Sequence, residues 1–298
     1  MRLSLAVLVL VAACGGGSAA PTATPTATPT AAPTTAPTTQ AAPGITKVLT
    51  IVEENHGTQA ARNGMPYLAS LADRYGVATD YRSLTHPSLP NYLAMTAGST
   101  FGITDDGGPS AHPVSGPSVF DLAVQHGHTA KVYAESMPAS CHRSNDGRYA
   151  ARHNTWTYFP SSALCASLDV PAVALASDVA GGRLPDVGML VPDLCHDAHD
   201  CSLVTADEYL RAVLGTVLAG PDWQAGRLAV VITFDEVEAD ESGTLLTVVV
   251  APSLTHARVS VPLSHLAWCR WMTDLAGAPP LRDAARAPSL GRAFALVG

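Results

Sequence analysis

Five short apolar runs, rich in β-branched residues and separated by stretches of helical periodicity, restrict the fold of this chain more than any other feature. They are Lys47–Val52, Thr129–Tyr133, Val187–Val191, Leu228–Phe234 and Thr244–Ala251. Strands apolar on both faces belong to buried parallel sheets, because a sheet with one wet face alternates polar and apolar residues instead. Between them, Pro66–Tyr75, Ser118–Gly127, Thr205–Ala219 and His265–Ala276 carry apolar residues at i, i+3 and i+4, with Gly127 and Gly277 as stop signals. Strand and helix in alternation predict an α/β fold with a mostly parallel central sheet and helices on both faces. No second linker and no internal repeat interrupts residues 44–298, so this region is expected to be one domain.

The N-terminus has a different character. Residues 1–13 hold one basic residue and an apolar run unbroken from Leu5, shorter than the roughly 20 residues of a membrane span, and are predicted to be a secretory signal. The small residues before Cys14 resemble the lipobox of bacterial lipoproteins, which implies cleavage there and lipid on the Cys14 sulfur; a plain signal cut nearby is the alternative. Residues 14–43 carry no charge and repeat proline every four positions from Pro21 to Pro37, the composition of an extended tether. The expectation is an exported protein, held on the outer face of the cell membrane by its N-terminal lipid alone or released. Five further cysteines fit an oxidising compartment. Proximity in sequence pairs Cys141 with Cys165 and Cys195 with Cys201, leaving Cys269 as a buried thiol. A zinc site from Cys195, His196, His199 and Cys201 is the competing reading. The net charge of −8 argues against nucleic acid as a partner, and a monomer is expected.

In doubly wound sheets, ligands bind beyond the carboxyl ends of the strands. Here those ends carry Glu53-Glu54-Asn55-His56, then Glu135-Ser136, then Asp193 with Asp197 and His199 downstream, then Asp235-Glu236. Carboxylates gathered at one sheet edge repel one another, and a divalent cation would relieve the repulsion. Two hydroxyls, Thr85 and Ser88, lie in a turn stiffened by Pro87 and Pro90, ahead of the apolar helical run that starts at Asn91 and closes on Gly98. Ser88 is thus expected just before a helix N-terminus, where an anion is favoured.

Val52-Glu-Glu-Asn-His56, Thr85-His-Pro-Ser-Leu-Pro-Asn-Tyr92, Tyr133-Ala-Glu-Ser-Met-Pro138, Arg152-His-Asn154, Leu194-Cys-His-Asp-Ala-His-Asp-Cys201 and Thr233-Phe-Asp-Glu236 together resemble the bacterial phosphoesterase family of secreted acid phosphatases and phospholipases C. The resemblance runs from about Ile45 to the C-terminus. The family belongs to the alkaline phosphatase superfamily, whose members use a metal-bound Ser or Thr nucleophile on an α/β sheet. It implies Ser88 as nucleophile, with Thr85 the alternative, and Asn91 as a donor to phosphate oxygen. The implied metal ligands are Glu54, Asn55, Ser88, Asp235 and Glu236. Asp197, His199 and His265 resemble positions that bind a second metal or the leaving group, with His199 or His265 as the proton donor. The two-zinc members place His directly after the equivalent of Asp235, where this chain has Glu236, and residues 237–247 contain no His. One divalent ion, among Mg, Ca, Mn and Zn, is therefore expected rather than a pair. A sulfatase is excluded, because Tyr92 stands where that signature needs Arg.

The implied activity is metal-dependent hydrolysis of a phosphate ester through a phosphoserine intermediate, on a small phosphate ester or a phospholipid. A phospholipase C-like phosphodiesterase, a cell-envelope polymer transferase and a surface lipoprotein that only binds a ligand are the other readings. The modest aromatic content, 6%, favours monoesters over lipid diesters.

Overall fold

The computed structural model describes residues 10–17, 20, 44–238 and 243–297. Ten strands run in chain order: β1 (Lys47–Glu53), β2 (Gly76–Ala78), β3 (Tyr81–Arg82), β4 (Ala130–Ala134), β5 (Asp169–Pro171), β6 (Val187–Val191), β7 (Leu228–Phe234), β8 (Thr247–Val250), β9 (Ala257–Val259) and β10 (Leu263–Ser264). Eight of them form one sheet in the order β5-β4-β6-β1-β7-β8-β2-β9, and β3 pairs with β10 in a separate two-stranded ribbon. β1 lies between β6 and β7, parallel to both, and every residue of β6 and β7 is buried. The α/β expectation holds, with one correction. The run containing β8 was expected to be parallel like the others, yet it lies antiparallel to both β7 and β2. No crossover helix separates β7 from β8 among the described residues, and a chain that returns directly reverses its direction.

Helices cover both faces. On one, helix His265–Leu275 is fastened to β1 by Trp268 Nε1, which donates to Thr50 Oγ1 at 2.8 Å, and it packs against helix Ser88–Ala97. On the other, helix Leu203–Val217 packs against helix Pro66–Arg74. There Asp207 accepts the first-turn N–H groups of Tyr67 and Leu68 at 2.8 and 2.9 Å, filling two of the donors that a helix start leaves free.

Helix Ser88–Ala97 is buried along its whole length. It begins three residues earlier than the apolar periodicity indicates, so Ser88 is its first residue, and no side chain caps it. Extended Pro87 precedes it and Gly98, in the left-handed region at φ 71°, ends it. Glycine is required at that position twice over, because a Cβ there would stand 2.5 Å from the Leu281 carbonyl oxygen. The C-terminal segment then holds the helix end: Arg282 donates to the Ala97 carbonyl at 2.7 Å and the Asp283 N–H to that of Gly98 at 2.9 Å. Truncating one buried apolar side chain of this helix, such as Leu93→Ala, would cost about 2–5 kcal/mol.

Both disulfides, Cys141–Cys165 and Cys195–Cys201, are present as expected from spacing. The zinc alternative fails, since its two sulfurs are bonded to each other. Cys269 is a buried free thiol and Cys14 an exposed one. The signal and tether expected over residues 1–43 lie largely outside the described residues. Among the described residues no helix is long and apolar enough to cross a membrane.

Candidate active site

Parallel pairing of β1 with β7 aligns Glu53 with Phe234, so Glu54 and Asp235 leave the sheet side by side. Backbone bonds fix the junction. Asp235 N–H donates to the Glu53 carbonyl at 3.0 Å, and Glu54 N–H to that of Asp197 at 2.7 Å, which draws the loop after β6 to the same edge. Asn55 turns the chain at φ 60° and donates its N–H to Asp235 Oδ1 at 3.1 Å.

Helix Ser88–Ala97 approaches this edge with its N-terminus. Ser88 Oγ donates to Glu54 Oε2 at 3.1 Å. Tyr92, one turn later on the same helix face, donates to Glu54 Oε1 at 2.7 Å. The short 3-10 helix Ala151–His153 supplies an imidazole that stacks on Tyr92, with centroids 5.0 Å apart and planes 11° off parallel. His153 Nε2 lies 3.1 Å from Glu54 Oε1, and Nδ1 lies 3.2 Å from Asp197 Oδ2. Glu54, His153 and Asp197 bring a ligand atom each within 4.8 Å of the others, and all three are buried.

Short distances do not make these contacts hydrogen bonds. His153 Nε2, Asp197 Oδ2 and Asp235 Oδ2 are buried without a hydrogen-bond partner, a costly state for polar atoms. Burial raises the Glu54 carboxyl well above its ordinary range, and the charges of Asp235 and Asp197 raise it further. Burial likewise pushes Asp235 up to about 6 and Asp197 to about 7. For Glu236, burial followed by Asp235 gives about 9. The His153 imidazole is held well below 6.5, by burial first and then by Arg152, so it is neutral. Neutral imidazole, clustered carboxylates and orphaned buried oxygens are the donor set that a divalent cation requires, and the residues fit such an ion.

Several of the expected site residues have other work. Thr85 is half-buried and donates its hydroxyl to the neighbouring His86 carbonyl at 3.1 Å, away from Glu54. Asn91, expected as a phosphate donor, has its amide engaged within the turn: Nδ2 donates to the Thr85 carbonyl at 2.6 Å and to Glu236 Oε2 at 2.9 Å, while Oδ1 accepts from Leu84 and Thr85. Asn91 braces the turn that carries Ser88. Glu236 also faces His86 Nδ1 at 3.2 Å. Of the Asn55 groups, it is the backbone N–H that reaches Asp235.

The two histidines expected to protonate a leaving group are not placed for it. His265 is fully buried, with Nε2 on the Asp235 carbonyl and Nδ1 on the Tyr81 hydroxyl, and burial holds it down at about 4. It pins the end of β7 and takes no part in the Asp197 group. His199 accepts at Nε2 from Arg152 Nη2 at 2.9 Å and bonds Asp200 through Nδ1 at 2.7 Å. Arginine only donates, so Nε2 carries no proton here. Of the three residues expected at a second site, only Asp197 joins the buried cluster. The residue that sequence reasoning missed is His153. Its one signal was the Arg152-His-Asn154 motif, to which no role was attached.

Comparison with known proteins agrees with this architecture. Residues 57–249 match the model of the phosphoesterase family. The chain is 29% identical over 257 residues to a phosphatidylinositol-3-phosphatase of Mycobacterium tuberculosis, covering 84% of this chain and 83% of that protein. It is 29% identical over 185 residues to a probable acid phosphatase of Kluyveromyces lactis, covering 57% of this chain but only 43% of that longer protein. In fold it is similar to a solved member of the alkaline phosphatase superfamily from Vibrio parahaemolyticus. The TM-score there is 0.56 at 10% identity, over 83% of this chain and 71% of the other.

Proposed function

The chain belongs to the phosphoesterase family and is a phosphoric ester hydrolase, and from that premise we propose that it cleaves phosphomonoesters by attack of Ser88 beside one divalent cation. The observation that carries this reading is the Ser88 hydroxyl, buried at the first residue of a rigid helix and hydrogen-bonded to a carboxylate at the crowded sheet edge. Glu54, Asp235, Glu236 and Asn55 would hold the ion on the Ser88 side, with His153 and Asp197 as further donors. When bound, the ion would lower the pKa of the serine hydroxyl and withdraw charge from a phosphoryl oxygen.

The residues themselves do the rest. Glu54 accepts the Ser88 hydrogen bond, so the proton lost on attack has a carboxylate facing it. The serine oxygen then bonds to phosphorus and the ester alcohol leaves; water afterwards cleaves the phosphoserine. The helix N-terminus offers less to the oxyanion than its dipole suggests. Leu89 N–H is already held by Asp106 Oδ1 at 2.9 Å and Pro90 has none, which leaves the Ser88 amide. Tyr92 and Asn91 hold Glu54 and the turn in register.

The relative named for phosphatidylinositol 3-phosphate acts on a monoester carried by a lipid headgroup, which supports monoesters, free or lipid-borne, over diesters. The same proposal includes export by residues 1–13, lipid on Cys14 and a tether to residue 43; two disulfides support passage through an oxidising compartment. Metal analysis of the purified protein, joined to hydrolysis of p-nitrophenyl phosphate before and after chelation, tests the central claim. About one ion per chain and activity lost with it are expected. Full activity in a metal-free protein ends the cation's role, and no hydrolysis of any phosphate ester ends the proposal.

A further inference from the structure

Two routes of contact leave Ser88 and meet again at the segment 151–153. One passes from Ser88 Oγ through Glu54 to the His153 ring. The other passes from the N–H of Leu89 to Asp106 Oδ1 at 2.9 Å, and from Asp106 Oδ2 to Arg152 Nε at 3.8 Å. Consecutive residues, Arg152 and His153, therefore bracket the nucleophile from two sides. His153 is buried among carboxylates, whereas the Arg152 side chain keeps 15% exposure at the rim.

The Arg152 guanidinium is underused. Nη2 donates to His199, but Nε is buried with no hydrogen-bond partner, and Asp106 stands too far away to satisfy it. An orphaned charged donor is expensive, and a guanidinium fork matches a tetrahedral oxyanion in geometry. His199 is engaged on both ring nitrogens, by Arg152 at Nε2 and by Asp200 at Nδ1. Several acids surround Ser88, namely Glu54, Asp235, Asp197, Glu236 and Asp106, the last also facing Arg152. A phosphomonoester brings close to two negative charges at neutral pH and a diester brings one, so the fixed cation at this rim weighs more for the monoester.

We propose that Arg152 receives the second anionic oxygen of a phosphomonoester and thereby sets the preference of this site for monoesters over diesters. The proposal rests on Ser88 as the nucleophile. His199 holds the guanidinium through Nη2, and Nε, beside Asp106 but without a hydrogen-bond partner, is the donor left to spare.

The test compares wild type, Arg152→Gln and Arg152→Lys on p-nitrophenyl phosphate and bis(p-nitrophenyl) phosphate. Arg152→Gln is expected to lower kcat/KM on the monoester by about 100- to 1000-fold, the usual loss for one oxyanion donor, and on the diester by less than about fivefold. Arg152→Lys should fall between, keeping charge without the fork. Competitive inhibition by inorganic phosphate against dimethyl phosphate gives the same ratio without turnover and should move in parallel. Thermal melting confirms that the variants are folded. Equal losses on both substrates, or an unchanged monoester rate, overturn the role of Arg152 while leaving the serine mechanism standing. A wild-type protein inert towards both esters overturns the mechanism and this proposal together.

Discussion

Two edges of this sheet gather the same three residue types and satisfy them to different extents. Beyond β1, Glu54 meets His153 and Asp197; beyond β4, Glu135 meets His196 and Asp193, again with ligand atoms within 4.8 Å of one another. In the second group every carboxylate is satisfied. His196 Nδ1 lies 3.0 Å from both oxygens of Glu135 and stacks on Tyr209, the Asp193 N–H donates to Glu135, and Asp193 accepts from Ser136, Cys195 and His196. In the first group His153 Nε2 and Asp197 Oδ2 are left without partners in a drier place. Residue type does not separate a structural cluster from a chemical one. What differs between these two clusters is how fully burial is matched by hydrogen bonds, and an unmade bond under burial is costly unless another component supplies it.

The largest expected effect contrasts the two hydroxyls of the nucleophile turn. Ser88→Ala should reduce kcat by about 10⁴-fold or more with little change in melting temperature, as removal of a nucleophile does, whereas Thr85→Ala should cost less than about tenfold. Steady-state assays of both variants decide it, and near-normal activity in Ser88→Ala would move the nucleophile elsewhere.

Next in size, the two clusters should respond in opposite senses. Asp197→Asn should cut activity by about 100-fold yet raise the melting temperature of the chelated protein, since it removes a buried, crowded charge. Glu135→Ala should leave kcat/KM within about threefold and lower stability by about 1–3 kcal/mol, from the partners left unpaired. Melting curves and assays of this pair would break the comparison if the signs were reversed.

The smallest effect is a slope. Asp235 and Asp197 are raised by burial to about 6 and about 7, above the value near 4 of an unfolded chain. The folded protein without its cation thus binds their protons more tightly than the unfolded chain. Their contribution to stability is complete below about pH 4 and is lost as pH rises through 6 to 7. Each group changes stability by at most about 1.4 kcal/mol per pH unit, or roughly 2–4 °C per kcal/mol for a chain of this size. Melting of chelated protein across that window should fall with pH, Asp197→Asn should flatten the fall, and restoring the divalent ion should abolish it.

The buried strands were legible because burial on both faces writes itself as uninterrupted β-branched runs; β6 and β7 keep their sequence-read limits to the residue. Direction of pairing leaves no such trace, hence the reversal of β8. The three-residue strands β2, β5 and β9 are too short for any period to show. At the site, Glu54, Ser88 and Asp235 were readable because each sits beside a strong local signal, a strand end or a proline turn. His153 comes from a three-residue helix whose position depends on Tyr92 and Asp197, both remote in sequence. The engagement of His265 by Tyr81 and Asp235, and of His199 by Arg152, is tertiary in the same way, whereas Asn91 is held mostly by its own turn.

Arg282 and Asp283, which grip the far end of the Ser88 helix, lie on a segment that contributes no strand to the sheet. The height of the serine hydroxyl above the sheet edge is therefore set from the opposite pole of its helix, by a grip that no strand shares.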